Sequence, residues 1–152
     1  MKIKALKYLL SVLALAGFVT AMTPTHTVAG EDHKIVIHVD ENDAARMNMA
    51  LNNASNIDAY YKEKGEEVTI ELVTYGPGLI MLIDGKSPVQ DRIASFEQNF
   101  DNISFRACGN THRKMSQKAG MAIKLVSQAK MVPSGVVHLS ERQEQGWTYI
   151  RP

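Results

Sequence analysis

Cysteine is nearly absent from this 152-residue chain, which carries one, Cys108. A single thiol cannot close an intramolecular disulfide, and it cannot supply the several thiolates of a multi-cysteine zinc or iron–sulfur site. A strong charge of either sign is lacking as well, with a formal net charge of +1. Residues 1–29 hold three lysines and no acid, which leaves 14 basic against 16 acidic side chains in the rest. So mildly acidic a body excludes nonspecific nucleic-acid binding as the main activity, because that binding rests on neutralising phosphates. Long apolar runs are also missing. The longest, Tyr8 to Val19, is interrupted by Ser11 and Gly17 and falls short of the ~20 apolar residues that a membrane-spanning helix needs. Internal repeats, low-complexity tracts and interdomain linkers are not found either.

Lys2, Lys4 and Lys7 stand before that short run. A basic start followed by an apolar stretch of this length is the pattern of a secretory signal. Small residues offer cleavage after Ala21 or after Ala29. The expectation is export to a periplasm, no membrane attachment after cleavage, and one folded domain over residues 30–152. In an oxidising compartment a lone thiol is buried, paired with another chain, or reactive.

The remaining chain alternates strand and helix patterns. Lys34 to Asp40 is a β-branched run, and Asp40 to Asp43 suit the start of a helix. Met47, Ala50, Ala54, Ile57 and Tyr61 recur every three or four residues, predicting a helix over Ala44–Lys64 that Gly65 ends. A second strand spans Val68–Tyr75, with Val68, Ile70 and Leu72 on one side. Gly76-Pro77-Gly78 turns sharply into the apolar piece Leu79–Ile83. Ser87-Pro88-Val89-Gln90 has the composition of a helix start with a capping box. Ile103–Ala107 is a third strand, followed by a polar helix to about Lys118 and a second helical piece over Met121–Val126. Lys130–Val132, a helix over Val136–Gln145 and the strand Trp147–Ile150 complete the order. Repeated βα units with short connections predict an α/β fold, a three-layer α/β/α arrangement around a mostly parallel sheet of about five strands.

In such folds ligands meet the carboxyl ends of the strands. Those ends here are Asp40-Glu41-Asn42, Gly76-Pro77-Gly78, Cys108-Gly109-Asn110-Thr111 and Pro133-Ser134-Gly135. A cysteine at a strand end, just before a helix, faces unpaired N–H groups that favour thiolate over thiol. Arg106, His112, Arg113 and Lys114 flank it. The residues alone leave two readings open for Cys108, a reactive thiolate or a small buried hydrophobe.

Other chemistry is poorly supplied. The histidines lack the paired spacing of a zinc helix, and no metal site is expected. Met47 and Met49 point in different directions on a helix, so copper(I) binding is a weak third reading beside a core role for Met47, Met81 and Met131. Gly76-Pro77-Gly78 has neither the Lys-Ser/Thr ending of a phosphate loop nor the three-glycine dinucleotide spacing. Ser134-Gly135 is suited to a helix cap or to a small anion. Trp147 and Tyr149 fit a core or a subunit interface.

Several short motifs, taken together, resemble one family. Cys108-Gly109-Asn110-Thr111, Tyr75-Gly76-Pro77-Gly78-Leu79, Val132-Pro133-Ser134-Gly135, Gly146-Trp147-Thr148-Tyr149-Ile150-Arg151-Pro152 and Leu51-Asn52-Asn53 resemble, in order and spacing, the DsrE/DsrF-like family. The resemblance covers about residues 34–152. It implies a compact α/β/α domain that forms homo-oligomers, trimers or hexamers, and it implies sulfur carried as a persulfide on a strand-end cysteine, here Cys108, and passed between donor and acceptor proteins. No cofactor is implied. On that reading backbone N–H groups of Gly109 and Asn110 stabilise anionic sulfur. Arg106 and His112 assist electrostatically, and Thr111, Gly76, Gly78, Ser134 and Gly135 line the site. The alternative is a non-catalytic oligomeric binding module in which Cys108 is structural.

Overall fold

Four β-branched residues in five, Ile35 to Val39 with His38 among them, mark the first strand of a computed structural model that describes residues 32–152. The signal-peptide reading of residues 1–29 lies outside the described residues. Strand β1 is Asp32–Val39, and helix α1 follows over Ala44–Lys64. Asp43 caps α1, its Oδ1 accepting from Arg46 N–H at 3.0 Å, and Gly65 ends it in the left-handed region. Strand β2 is Glu67–Thr74, and a 3-10 helix over Gly76–Leu82 leads to α2, Gln90–Asn99. Then come β3 (Ile103–Cys108), α3 (Gly109–Ala119), β4 (Ala129–Val132), α4 (Gly135–Glu144) and β5 (Thr148–Ile150).

The five strands form one sheet in the order β4-β3-β2-β1-β5, and every pairing is parallel. Ile35 aligns with Ile70, Ile70 with Ile103, and Cys108 with Val132. Because side chains alternate along a strand, this register sorts the residues into two faces. Ile37, Leu72 and Phe105 share one face with Met47 and Leu51 of α1 and Ile93 and Phe96 of α2. Most of these are fully buried, each contributing about 1.5–3 kcal/mol relative to exposure. Val36, Val73 and Leu139 of α4 form the smaller core on the opposite face, edged by Tyr75 and Trp147. The result is the expected α/β/α fold, with unequal layers.

Two local expectations change. The helix after Ser87 begins only at Gln90, with Val89 at the cap. Gln90 does not reach back as a capping box; its side chain accepts from Gly85 N–H and donates to Asp84, fastening the preceding turn instead. Met121–Val126 is not helical. Its backbone is taken up elsewhere: Ile123 N–H donates to Ser116 Oγ, Val126 N–H to the Leu82 carbonyl, and Leu125 bridges Ile83. Side-chain and cross-chain partners of this kind compete successfully with a helix that has only six residues to propagate.

Candidate functional site

The carboxyl ends of β2 and β3 meet the start of α4 at Cys108. This residue ends β3, serves as the N-cap of α3, and is 4% exposed. Its Sγ accepts from Thr111 N–H at 3.5 Å. Thr111 Oγ1 accepts from Gly76 N–H at 3.0 Å, so its own proton is free to point at the sulfur. From the other side comes the first turn of α4. A methyl group placed on Gly135 would lie 3.0 Å from Tyr75 Cβ and 3.2 Å from Cys108 Cβ. A side chain here would have to push Tyr75 or the thiol aside by a few tenths of an ångström, so glycine lets the helix start close to the sulfur.

These contacts decide the protonation of Cys108. Burial is the largest influence and pushes the thiol pKa up. The Thr111 hydroxyl, with the N–H groups of Gly135, Thr111 and Asn110, together outweigh it and hold the pKa below the ordinary thiol value. The physical cause is the one expected at helix starts, where N–H groups without intrahelical partners carry partial positive charge.

The expected helpers are distributed differently. Of the two backbone donors expected from Gly109 and Asn110, Asn110 contributes, while also donating to the Pro133 carbonyl at 3.2 Å. Gly109 instead allows close packing: a methyl there would lie 3.1 Å from the Val132 carbonyl oxygen. His112 turns away from the thiol, its Nε2 lying 2.7 Å from the Ile123 carbonyl. Arg106 is on the Cys108 face of β3 but is engaged with Glu71 through Nε and Nη2. Gly78 N–H is used internally, by the carbonyls of Asp40 and Tyr75, and a methyl on Gly78 would stand 2.3 Å from the Val39 oxygen. Ser134 makes no side-chain cap; its carbonyl accepts from His138 N–H.

Residues to which the sequence reading gave no role at the thiol complete the edge. Tyr75 stacks on His38 with ring centroids 4.6 Å apart, and His38 Nδ1 lies 2.7 Å from the Tyr149 hydroxyl. His38 is 5% exposed, and burial is the main cause that lowers its pKa. Arg151 closes the edge on Asp40, at 3.0 Å. Among the described residues Glu71 is the deepest charge, 2% exposed and bonded to Arg106, His138 and Arg142. One signal for it was available: a lone acid inside the strand pattern Val68–Thr74, on the side opposite Ile70 and Leu72.

No family model matches the chain, and no curated protein matches it. Among solved structures, the chain is similar to MTH1491 from Methanobacterium thermoautotrophicum, a protein of unknown function. The match has 33% identical residues and a TM-score of 0.67, and it covers 80% of this chain and 100% of the other. The chain belongs to the family of MTH1491. Because all of MTH1491 is matched, the shared unit is the α/β domain as a whole rather than a fragment of it.

Metal ligands do not gather at this edge. Among the described residues, no three His, Cys, Asp or Glu side chains are grouped so as to hold a metal ion. Met47 and Met81 are fully buried, as a core role requires, whereas Met131 is half exposed at the rim of β4. No helix of the described residues is long and apolar enough to cross a membrane.

Proposed function

We propose that this chain is a sulfur carrier of the DsrE/DsrF-like kind that holds sulfur as a persulfide on Cys108. The observation that carries the reading is the placement of the single cysteine among donors from two helix starts. Such donors favour the thiolate, the species that attacks sulfur. In the loading step the Cys108 sulfur forms a bond to the sulfane sulfur of a persulfide or polysulfide donor. The donor's S–S bond breaks, and the donor leaves as a thiolate. In the unloading step an acceptor thiolate attacks the outer sulfur, and Cys108 leaves as thiolate. Each step makes one S–S bond and breaks one, so no external oxidant or reductant is required. The N–H groups of Thr111 and Gly135 stabilise the anionic sulfur in both steps. On this reading residues 1–29 direct export to the periplasm, the folded chain works as a homo-oligomer, and donor and acceptor proteins are its partners.

Intact mass measurement tests the proposal. Mature protein treated with polysulfide gains about 32 Da, one sulfur atom on the persulfidation step of the cysteine ladder. Cys108→Ser gains nothing, and a small thiol removes the addition. An adduct that forms without Cys108, or none at all, overturns it.

The 4% exposure of Cys108 favours a second reading, a non-catalytic binding module in which the thiol only packs. Native alkylation separates the two. Modification at neutral pH without denaturant fits the carrier, and labelling that requires denaturation fits the module.

A further inference from the structure

Helix α4 is the thinner layer of this fold, and little apolar surface attaches it. Gly135 and Leu139 are its buried residues. Gly135, His138, Leu139 and Arg142 recur at spacings of three, four and seven, which places them on one face, and that face looks onto the sheet. Beneath it lies Glu71. His138 Nε2 is 2.6 Å from Glu71 Oε2, Arg142 Nε is 2.9 Å from the same oxygen, and Arg142 Nη2 is 3.1 Å from Oε1. A carboxylate buried to this degree is tolerated only when its oxygens are fully bonded. The contact is therefore geometrically demanding on both sides. One turn before His138, Gly135 abuts Cys108 and Tyr75 so closely that a methyl group there would press on both. A small displacement of α4 thus moves its first N–H groups relative to the sulfur.

We propose that Glu71 is a positioning residue for Cys108: by holding His138 and Arg142 it seats α4 so that Gly135 stands against the thiol. This rests on Cys108 as the working group of the function proposed above. Charge and position predict opposite signs, which makes the idea testable. Without the Glu71 carboxylate, Arg106 and Arg142 are left unbalanced near the site, and by charge alone they favour the thiolate. A displaced α4 withdraws a donor and disfavours it.

The experiment is the rate of Cys108 alkylation by iodoacetamide against pH, in the native protein and in three variants. For Glu71→Gln the profile is expected to move to higher pH, with the rate at neutral pH reduced several-fold. Arg142→Gln, which leaves His138 on the carboxylate, is expected to move it the same way to a smaller extent, and it serves as the reading if Glu71→Gln does not fold. Arg106→Lys touches the same carboxylate from β3 rather than α4, and it is expected to leave the profile in place. A profile that is unchanged or moved to lower pH in Glu71→Gln overturns the proposal, as does a shift in Arg106→Lys equal to that of Arg142→Gln. A native thiol that takes up no sulfur sinks the carrier reading instead, while the difference between native and variant profiles still decides the role of Glu71.

Discussion

At the scale of the single residue, Thr111 connects two loops through one oxygen. Its hydroxyl oxygen accepts from Gly76 N–H, which leaves its proton for the Cys108 sulfur, and its own N–H donates to that sulfur. Thr111→Val keeps the shape and removes the hydroxyl. A hydrogen bond to a charged group contributes about 1.5–3 kcal/mol. The neutral-pH alkylation rate of Cys108 is therefore expected to fall by roughly tenfold, measured against the native protein under the same conditions. An unchanged rate would show that the backbone donors alone hold the thiolate. The place of Cys108 at a strand end was legible from Gly109-Asn110 after it. The engagement of Arg106 with Glu71 and of His112 with the Ile123 carbonyl was not, because nearness in sequence does not say where a long side chain finds its partner.

At the scale of the element, local chemistry and tertiary partners compete. Helix α1 obeys its sequence: the apolar spacing, a cap from within Asp40–Asp43 and Gly65 at the end all appear where read. Asp43→Ala removes the acceptor for Arg46 N–H, and it is expected to cost about 0.5–2 kcal/mol, read from a lower denaturant midpoint with an unchanged slope. The start of α2 and the segment Met121–Val126 depart from their patterns. In both, a side chain or a distant backbone group captures the hydrogen bonds that a helix would have used. Helix α4 is a third case. Its apolar content alone would seat it weakly, and its orientation comes from the buried carboxylate beneath it.

At the scale of the whole molecule, stability depends on pH through two buried groups. Glu71 is held down to about 2, since its bonds to Arg142, His138 and Arg106 outweigh a burial effect that opposes ionisation. A depressed carboxylate contributes stability above its ordinary value of 4.5. That contribution is lost as pH falls toward 2. His38 is lowered mainly by burial, so its contribution is present above about 6.5 and declines as acid forces a proton onto it. The melting temperature is expected to fall on acidification in two stages, the second and steeper below about pH 4.5. Calorimetry between pH 2 and 8 checks this, and Glu71→Gln is expected to flatten the lower stage. The alternation of β-branched runs and amphipathic stretches was enough to determine the α/β class, the number of strands and the edge where Cys108 lies, because periodicity and chain direction are local properties. The pairing of Glu71 with α4, the stacking of Tyr75 on His38 and the closeness of Gly135 to the thiol were decided only by the tertiary structure. Each joins residues tens of positions apart, and only the parallel register of the sheet and the packing of α4 against it bring them together.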